Sequence, residues 1–360
     1  MRTVGALGLK AVLAVSVVGG LLAGCSSGPA EGEAASKNEK NKQGSRNLVA
    51  GASAGPSTAP DKLADGLGSD TAKDGQFPRT VTHYKGRTKL AAAPARIAVL
   101  STGQLDDLLS LGLVPTVSTR AKDAGLVPDY LRDAFPRYKD RLAGMTDVGT
   151  RTAPDLESLA AAKPDLILAN DSLGELYPKL SKIAPTVVTK GQGINWKRDL
   201  LLVGAAVGKG KQAQQLLDDV TGDARARGKR LKEAKGAGMT VSMVRFTPDR
   251  TRMFGVSSFT GSIAADMGIA RPKSQQFTAI SQDIGAESVD GADGDWIFYS
   301  VQGKEARTDA GKVLAGPLWQ SMKAVKSGHA VRVDDDPWYL NAGPAAARLV
   351  VGELAGNLGK

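Results

Sequence analysis

The residue types that most often carry metal or nucleophilic chemistry are few in this sequence and badly spaced for it. One cysteine, Cys25, and two histidines, His83 and His329, stand far apart in a chain of 360 residues. That spacing gives no Cys/His zinc site, and a lone cysteine gives no internal disulfide. No Ser-x-x-Lys pair, no Walker A loop and no Gly-x-Gly-x-x-Gly opening a helix occurs. Asp106–Asp107 and the run Asp334–Asp336 suggest paired carboxylates for glycoside cleavage. Neighbours along a helix do not face one another, however, and acidic runs are usually solvated. An enzyme is not expected. What remains are groups that bind. Arg245 ends an apolar run and offers forked donors for an anion or for a salt bridge. Ser101-Thr102-Gly103 lies where a strand gives way to a helix, a place for donors to an anion, and Asn170 ends another strand. Ser258 can serve a ligand or cap the helix that follows. Trp196, Phe259, Trp338 and Tyr339 offer aromatic faces or core filling.

The elements that would position these groups alternate. Strand candidates at 96–100, 114–118, 165–169 and 186–189 are separated by helical patterns at 104–111, 154–162 and 173–183. A second series has strands at 240–246, 296–300 and 330–333. Such alternation implies parallel sheet covered by helices. Between the series, residues 209–235 are rich in Lys and Arg, contain no proline and carry apolar residues near helical spacing, although Gly222 and Gly228 weaken the pattern. A faint repeat joins the two halves: 157–170 (ESLAAAKPDLILAN) and 287–300 (ESVDGADGDWIFYS) share five of fourteen residues, among them Glu157/Glu287 and Asp165/Asp295.

The chain opens with Arg2 and Lys10, an apolar run to residue 24, and Leu22-Ala23-Gly24-Cys25. This order reads as an export signal, residues 1–24, ending at a lipidation site on Cys25. Residues 25–75, rich in Ser, Gly, Ala, Pro and mixed charge, read as a flexible tether. The sequence as a whole holds 47 Lys and Arg against 37 Asp and Glu, a formal +10, with 42% hydrophobic residues. Wholesale disorder is excluded, and the positive charge of the folded part favours anionic partners. Nucleic acid is not expected, because no dense basic run occurs and an exported lipoprotein seldom meets it.

From about Phe77 onward the chain resembles the iron-siderophore substrate-binding lipoproteins of bacterial ABC importers. The resemblance is carried by FPRTVTH at 77–83, RIAVLSTGQLDDLLSLGLVPTVS at 96–118, PDLESLAAAKPDLILAN at 154–170, VSMVRF at 241–246, SSFTG at 257–261, PLWQSMKAVKSG at 317–328 and DDDPWYLNAGPAAA at 334–347. It implies an α/β fold of two Rossmann-like lobes with central sheets, 76–208 and 237–360, joined by one long helix, 209–236. It also implies a ferric siderophore, most readily of hydroxamate type, held by Arg245, Trp338, Tyr339, Trp196, Ser258, Phe259, Thr102 and Asn170. The protein would supply no cofactor or metal ligand, because the iron travels in its chelate. Glu157 and Glu287 would dock, one per lobe, onto an ABC permease dimer with its cytoplasmic ATPase. The protein would be a monomer, anchored through Cys25 at the outer face of the bacterial cytoplasmic membrane. Haem or a corrinoid is the alternative ligand, and a sensor or adhesion module without transport the alternative role. One departure stands out. Related sequences commonly carry a basic segment after the Asn170 position, where this chain reads Asn170-Asp171-Ser172-Leu173-Gly174-Glu175; Arg120 and Arg151 are candidates to compensate.

Overall fold

Short, largely apolar runs, buried at nearly every position, build the centres of two sheets. The computed structural model describes residues 59–122 and 124–360, with Thr102 described by its backbone alone. Cys25, the expected export signal and the expected tether up to residue 58 lie outside the described residues.

Three short strands come first: β1 (Gly68–Ser69), β2 (Arg79–His83) and β3 (Gly86–Leu90), an antiparallel meander in which β2 is central. The last part of the expected tether, residues 59–75, is therefore part of the fold. Ala59 is buried, β1 ladders onto β2, and the Asp74 carboxylate accepts the backbone N–H groups of Lys211 and Gln212 at 3.1–3.3 Å. Those N–H groups open the long helix and have no partner within it.

In β2, the position of His83 is explained by its two ring nitrogens. Thr88 donates its hydroxyl to the Thr186 carbonyl, so the same oxygen accepts from His83 Nε2, 2.9 Å away. Nδ1 accepts the Lys85 N–H at 3.2 Å. The neutral ring is satisfied on both sides, and burial pushes its pKa down to about 4. The unfolded chain binds a proton here below about pH 6.5. Stability from this site is therefore complete above that pH and lost as the pH falls towards 4. The thermal midpoint of His83→Gln, followed between pH 7 and 4, is expected to fall less steeply than the parent's.

The first large sheet contains β4 (Ile97–Val99), β5 (Val117–Arg120), β6 (Thr146–Thr150), β7 (Ala153–Pro154), β8 (Leu166–Asn170) and β9 (Thr186–Thr189), in the order β7-β6-β5-β4-β8-β9. All neighbours are parallel except β7 with β6. The second contains β10 (Val241–Thr247), β11 (Arg250–Phe254), β12 (Ser281–Ile284), β13 (Trp296–Val301) and β14 (Ala330–Arg332), in the order β12-β11-β10-β13-β14. Here β10, β13 and β14 are parallel, and β11 and β12 extend the sheet antiparallel.

The repeat read in the sequence is a repeat of structure. β8 lies parallel beside β4 as β13 lies parallel beside β10. The shared aspartate does the same work in each lobe. Asp165 accepts the N–H groups of Ala95 and Arg96, just before β4, and Asp295 accepts the N–H and hydroxyl of Thr240, just before β10.

One helix, Gly210–Lys235, links the lobes. Its 26 residues span roughly 40 Å at 1.5 Å per residue. Gly228 does not interrupt it. A Cβ there would lie 1.8 Å from the Met267 carbonyl oxygen, so glycine is what lets the helix meet the second lobe's backbone. A single apolar cluster runs through both lobes, from Ile97 and Leu108 past Trp196, Leu217 and Ala224 to Met243, Ile263 and Val350. Smaller clusters cover the other face of each sheet.

Candidate functional site

The carboxyl ends of the parallel strands point into one cleft, where open α/β sheets usually hold ligands. From the first lobe come Ser101, Asn170, Thr189 and the turn at Gly191, together with Arg151 beyond β6. From the second come Gln302 after β13 and Val333–Asp336 after β14. Two cavities occupy the cleft, one of about 600 Å³ and one of about 220 Å³, and Leu340 lines both.

The larger cavity is charged. Lys122, Lys304, Arg307 and Arg332 line it together with Asp334, Asp335 and Asp336. Arg245, two residues before the end of β10, closes its fork on Asp335: Nε donates to Oδ1 and Nη2 to Oδ2, each at 2.7 Å. Ser300 donates to the same Oδ1 at 2.6 Å. The arginine expected to face a ligand thus already holds a carboxylate, in a pair whose side chains are 8% and 11% exposed. Asp335 also corrects the reading of 334–336 as a merely solvated run. Arg151 reaches across from the first lobe and donates to the Leu340 carbonyl at 3.4 Å. Burial lowers its pKa, and the Arg245 charge beside it lowers it further. Burial and its acidic neighbours push Asp336 up to about 6. Two guanidinium groups, one per lobe, therefore meet around an acidic loop.

Several expected contacts are elsewhere. Trp338 is fully buried, stacked on Phe298 at 5.0 Å, with its N–H donated to Glu353 at 2.6 Å. It is core, because both of its chemical handles are used inside the second lobe. Ser258 is the cap of the helix Phe259–Asp266, accepting the Gly261 N–H at 2.9 Å, and lines neither cleft cavity. Phe259 is buried edge-on against Trp196, 5.6 Å between centroids. Trp196 touches the smaller cavity but donates its N–H to Ser262 of the opposite lobe at 3.2 Å. These aromatics join the lobes; the close passage of Gly193 beside Phe259 belongs to the same contact.

Tyr339 and Asn170 do line the smaller cavity. The Tyr339 hydroxyl is turned inward, donating to the Phe298 carbonyl at 3.0 Å, and burial raises its pKa. Asn170 is anchored by Ser101 and accepts from Ser172. The Thr102 side chain lies outside what the structure describes. Where related sequences commonly carry a basic segment, after Asn170, Asp171 draws in Lys85 and Lys190, at 2.9 and 2.8 Å. Arg120 pairs with Asp147 instead of compensating.

Residues 97–337 match the periplasmic binding protein family. The chain is 34% identical over 291 residues to the probable siderophore-binding lipoprotein YfiY of Bacillus subtilis (strain 168), covering 77% of this chain and 86% of that one. This chain belongs to the periplasmic binding protein family. The Fe(3+)-citrate-binding protein YfmC of the same organism is 26% identical over 281 residues, 76% of this chain and 83% of that one. Among solved structures, Staphylococcus aureus SirA complexed with staphyloferrin B superposes with a TM-score of 0.68 at 28% identity, covering 78% of this chain and 98% of that one. The resemblance seen in the sequence holds, and so does the fold of two α/β lobes on a long helix. No helix among the described residues is long and apolar enough to cross a membrane.

In this periplasmic binding protein, sequence reasoning missed the floor of the smaller cavity. Gln104, Asp107 and Asp199 line it. Burial, with Asp106 and Asp199 nearby, pushes Asp107 well above the usual carboxylate range. Asp199 accepts the N–H groups of Lys190 and Gly191 at 2.9 and 2.7 Å, and burial pushes it up to about 7. The available signal was the helical phase that sets Gln104 and Asp107 beside the strand end at Ser101; a two-residue acidic pair gives no hint of burial. Glu157 and Glu287 are both exposed, each in the first turn of the short helix that precedes the paired strand of its lobe.

Proposed function

We propose that the protein captures a ferric siderophore between its lobes and delivers it to an ABC permease for iron uptake. The observation that carries this reading is the meeting of Arg151 and Arg245 across Asp335 at the carboxyl ends of both sheets. Guanidinium forks suit the negative oxygens that a chelate presents around iron. In this reading the iron arrives wrapped in its chelate and the protein supplies no metal ligand. Hydroxamate is the chelating group we place first; the name of the citrate-binding relative makes carboxylate chelates the direct competitor. Haem is disfavoured by Tyr339, whose hydroxyl is committed to a carbonyl and resists ionisation. We further propose that the protein is a monomer, exported, lipid-anchored at Cys25, and a binder with no catalytic step.

The test is tryptophan fluorescence of the full-length protein titrated with ferric hydroxamates, ferric citrate, ferric catecholates, haemin and cobalamin. Saturable quenching by a ferric hydroxamate is expected, and no saturable response to any ferric chelate would overturn the reading. Arg245→Ala is expected to weaken binding about 10- to 100-fold, as for a lost charge-assisted hydrogen bond. That variant strands Asp335 as an unpaired, nearly buried charge. Arg245→Ala with Asp335→Ala, measured beside it, separates the lost ligand contact from that penalty.

A further inference from the structure

Two neighbouring carboxylates in the first lobe meet opposite fates. Asp106 accepts four donors: the Ser110 and Tyr130 hydroxyls and the N–H groups of Ala345 and Ala346, at 2.9–3.2 Å. It holds the start of the C-terminal helix Pro344–Leu358. Asp107 is 2% exposed, and its Oδ1 accepts nothing. Gln104, also 2% exposed, donates Nε2 to the Ala169 carbonyl at 2.8 Å and to the Thr189 hydroxyl at 3.2 Å. Those bonds fix which way the amide faces, and its Oε1 is left with no donor. A buried acceptor without a donor costs its full desolvation, so two of them side by side along one cavity call for a donor from outside the chain.

We propose that Gln104, Asp107 and Asp199 form a subsite for a primary ammonium group carried on an arm of the ferric chelate. The proposal rests on the siderophore-binding reading above and narrows its ligand to a chelate that is anionic around the metal and cationic at one end. The floor offers acceptors from three side chains, two of them carboxyl groups, whereas an ammonium brings three donors and a positive charge. Size agrees. The cavity of about 220 Å³ suits an aminoalkyl arm better than a whole chelate, and it shares the Leu340 wall with the cavity of about 600 Å³ where the metal centre would sit. Arg151, which lines the smaller cavity too, has Asp335 and Asp336 beside it.

The experiment uses the full-length protein and ferric chelates matched in pairs, each with a terminal primary amine and with that amine acetylated, in a trihydroxamate and a citrate-based series. The amine member is expected to bind about tenfold tighter or more, as for a charge-assisted contact. Asp107→Asn is expected to shrink that ratio below about threefold. Equal affinities for the pair in the parent protein, which needs no variant, would overturn the subsite while leaving siderophore binding intact. An undiminished preference in folded Asp107→Asn would also overturn it. Failure of every chelate in both series to bind would instead overturn the siderophore reading, and this proposal with it.

Discussion

A protein carrying both Glu157→Ala and Glu287→Ala is expected to bind its ferric chelate as the parent does and to lose uptake by an order of magnitude or more. The two glutamates are exposed, and each opens the short helix before the second strand of a parallel pair, β8 beside β4 and β13 beside β10. A duplicated unit thus presents one acid per lobe, the arrangement that a two-fold permease can read with one patch on each subunit. Local stability supplies the competing explanation, and its size is known. An acid in a first helical turn contributes about 0.3–1 kcal/mol. The Glu157 helix is in any case capped by Asp155, which accepts the N–H groups of Glu157 and Ser158, so removal of the glutamate leaves the helix start satisfied. Neither glutamate lines the cleft cavities, so affinity should not move. Whole-cell uptake of labelled iron, beside equilibrium binding on purified protein, separates the two roles. Wild-type uptake by the double variant would eliminate docking at these positions.

How legible all this was in the sequence depends on which residues carried the signal. Parallel strands buried on both faces, such as β8 and β9, are continuous apolar runs and were read within a residue. β5 was expected at 114–118 but begins at Val117, because Pro115 cannot donate to a ladder. β11 and β12 were missed. Their exposed positions carry Arg250, Arg252 and Asp283, which pair across the strands, so polar residues hid the β pattern. The long helix was read correctly despite Gly228, whose reason, contact with the Met267 backbone, is tertiary. The same holds at the site. Asn170 ends β8 and Arg245 lies two residues before the end of β10, positions that periodicity locates. Trp338, Ser258 and Phe259 come from the same kind of segment but turn inward, and only packing decides that. Asp107 was invisible for the opposite reason: nothing in a pair of adjacent aspartates says that one will find four donors while the other keeps a buried oxygen without any.

The aromatic contact between the lobes sits beside a buried ion pair, and the second large effect is expected there. Lys197, on the first-lobe helix Trp196–Ala206, meets Asp266, at the end of the second-lobe helix Phe259–Asp266, at 2.7 Å, with side chains only 1% and 4% exposed. Lys197→Met should cost about 3–5 kcal/mol, because it leaves a carboxylate buried without its counter-charge. The double variant Lys197→Met with Asp266→Leu should recover most of that loss, since apolar groups of similar volume replace a buried pair at little net cost. Denaturant midpoints of the parent, the single and the double variant measure both statements, and a single variant as stable as the parent would show that water reaches the pair. The contrast between single and double also bears on function. A cleft whose two arginines come from different lobes keeps its geometry only if the lobes keep their spacing. Trp196 on Phe259 supplies the apolar part of that joint, and the Lys197–Asp266 pair is expected to fix its register, because two buried charges must meet. If the double variant is stable but binds its chelate more weakly, the pair serves registration beyond stability.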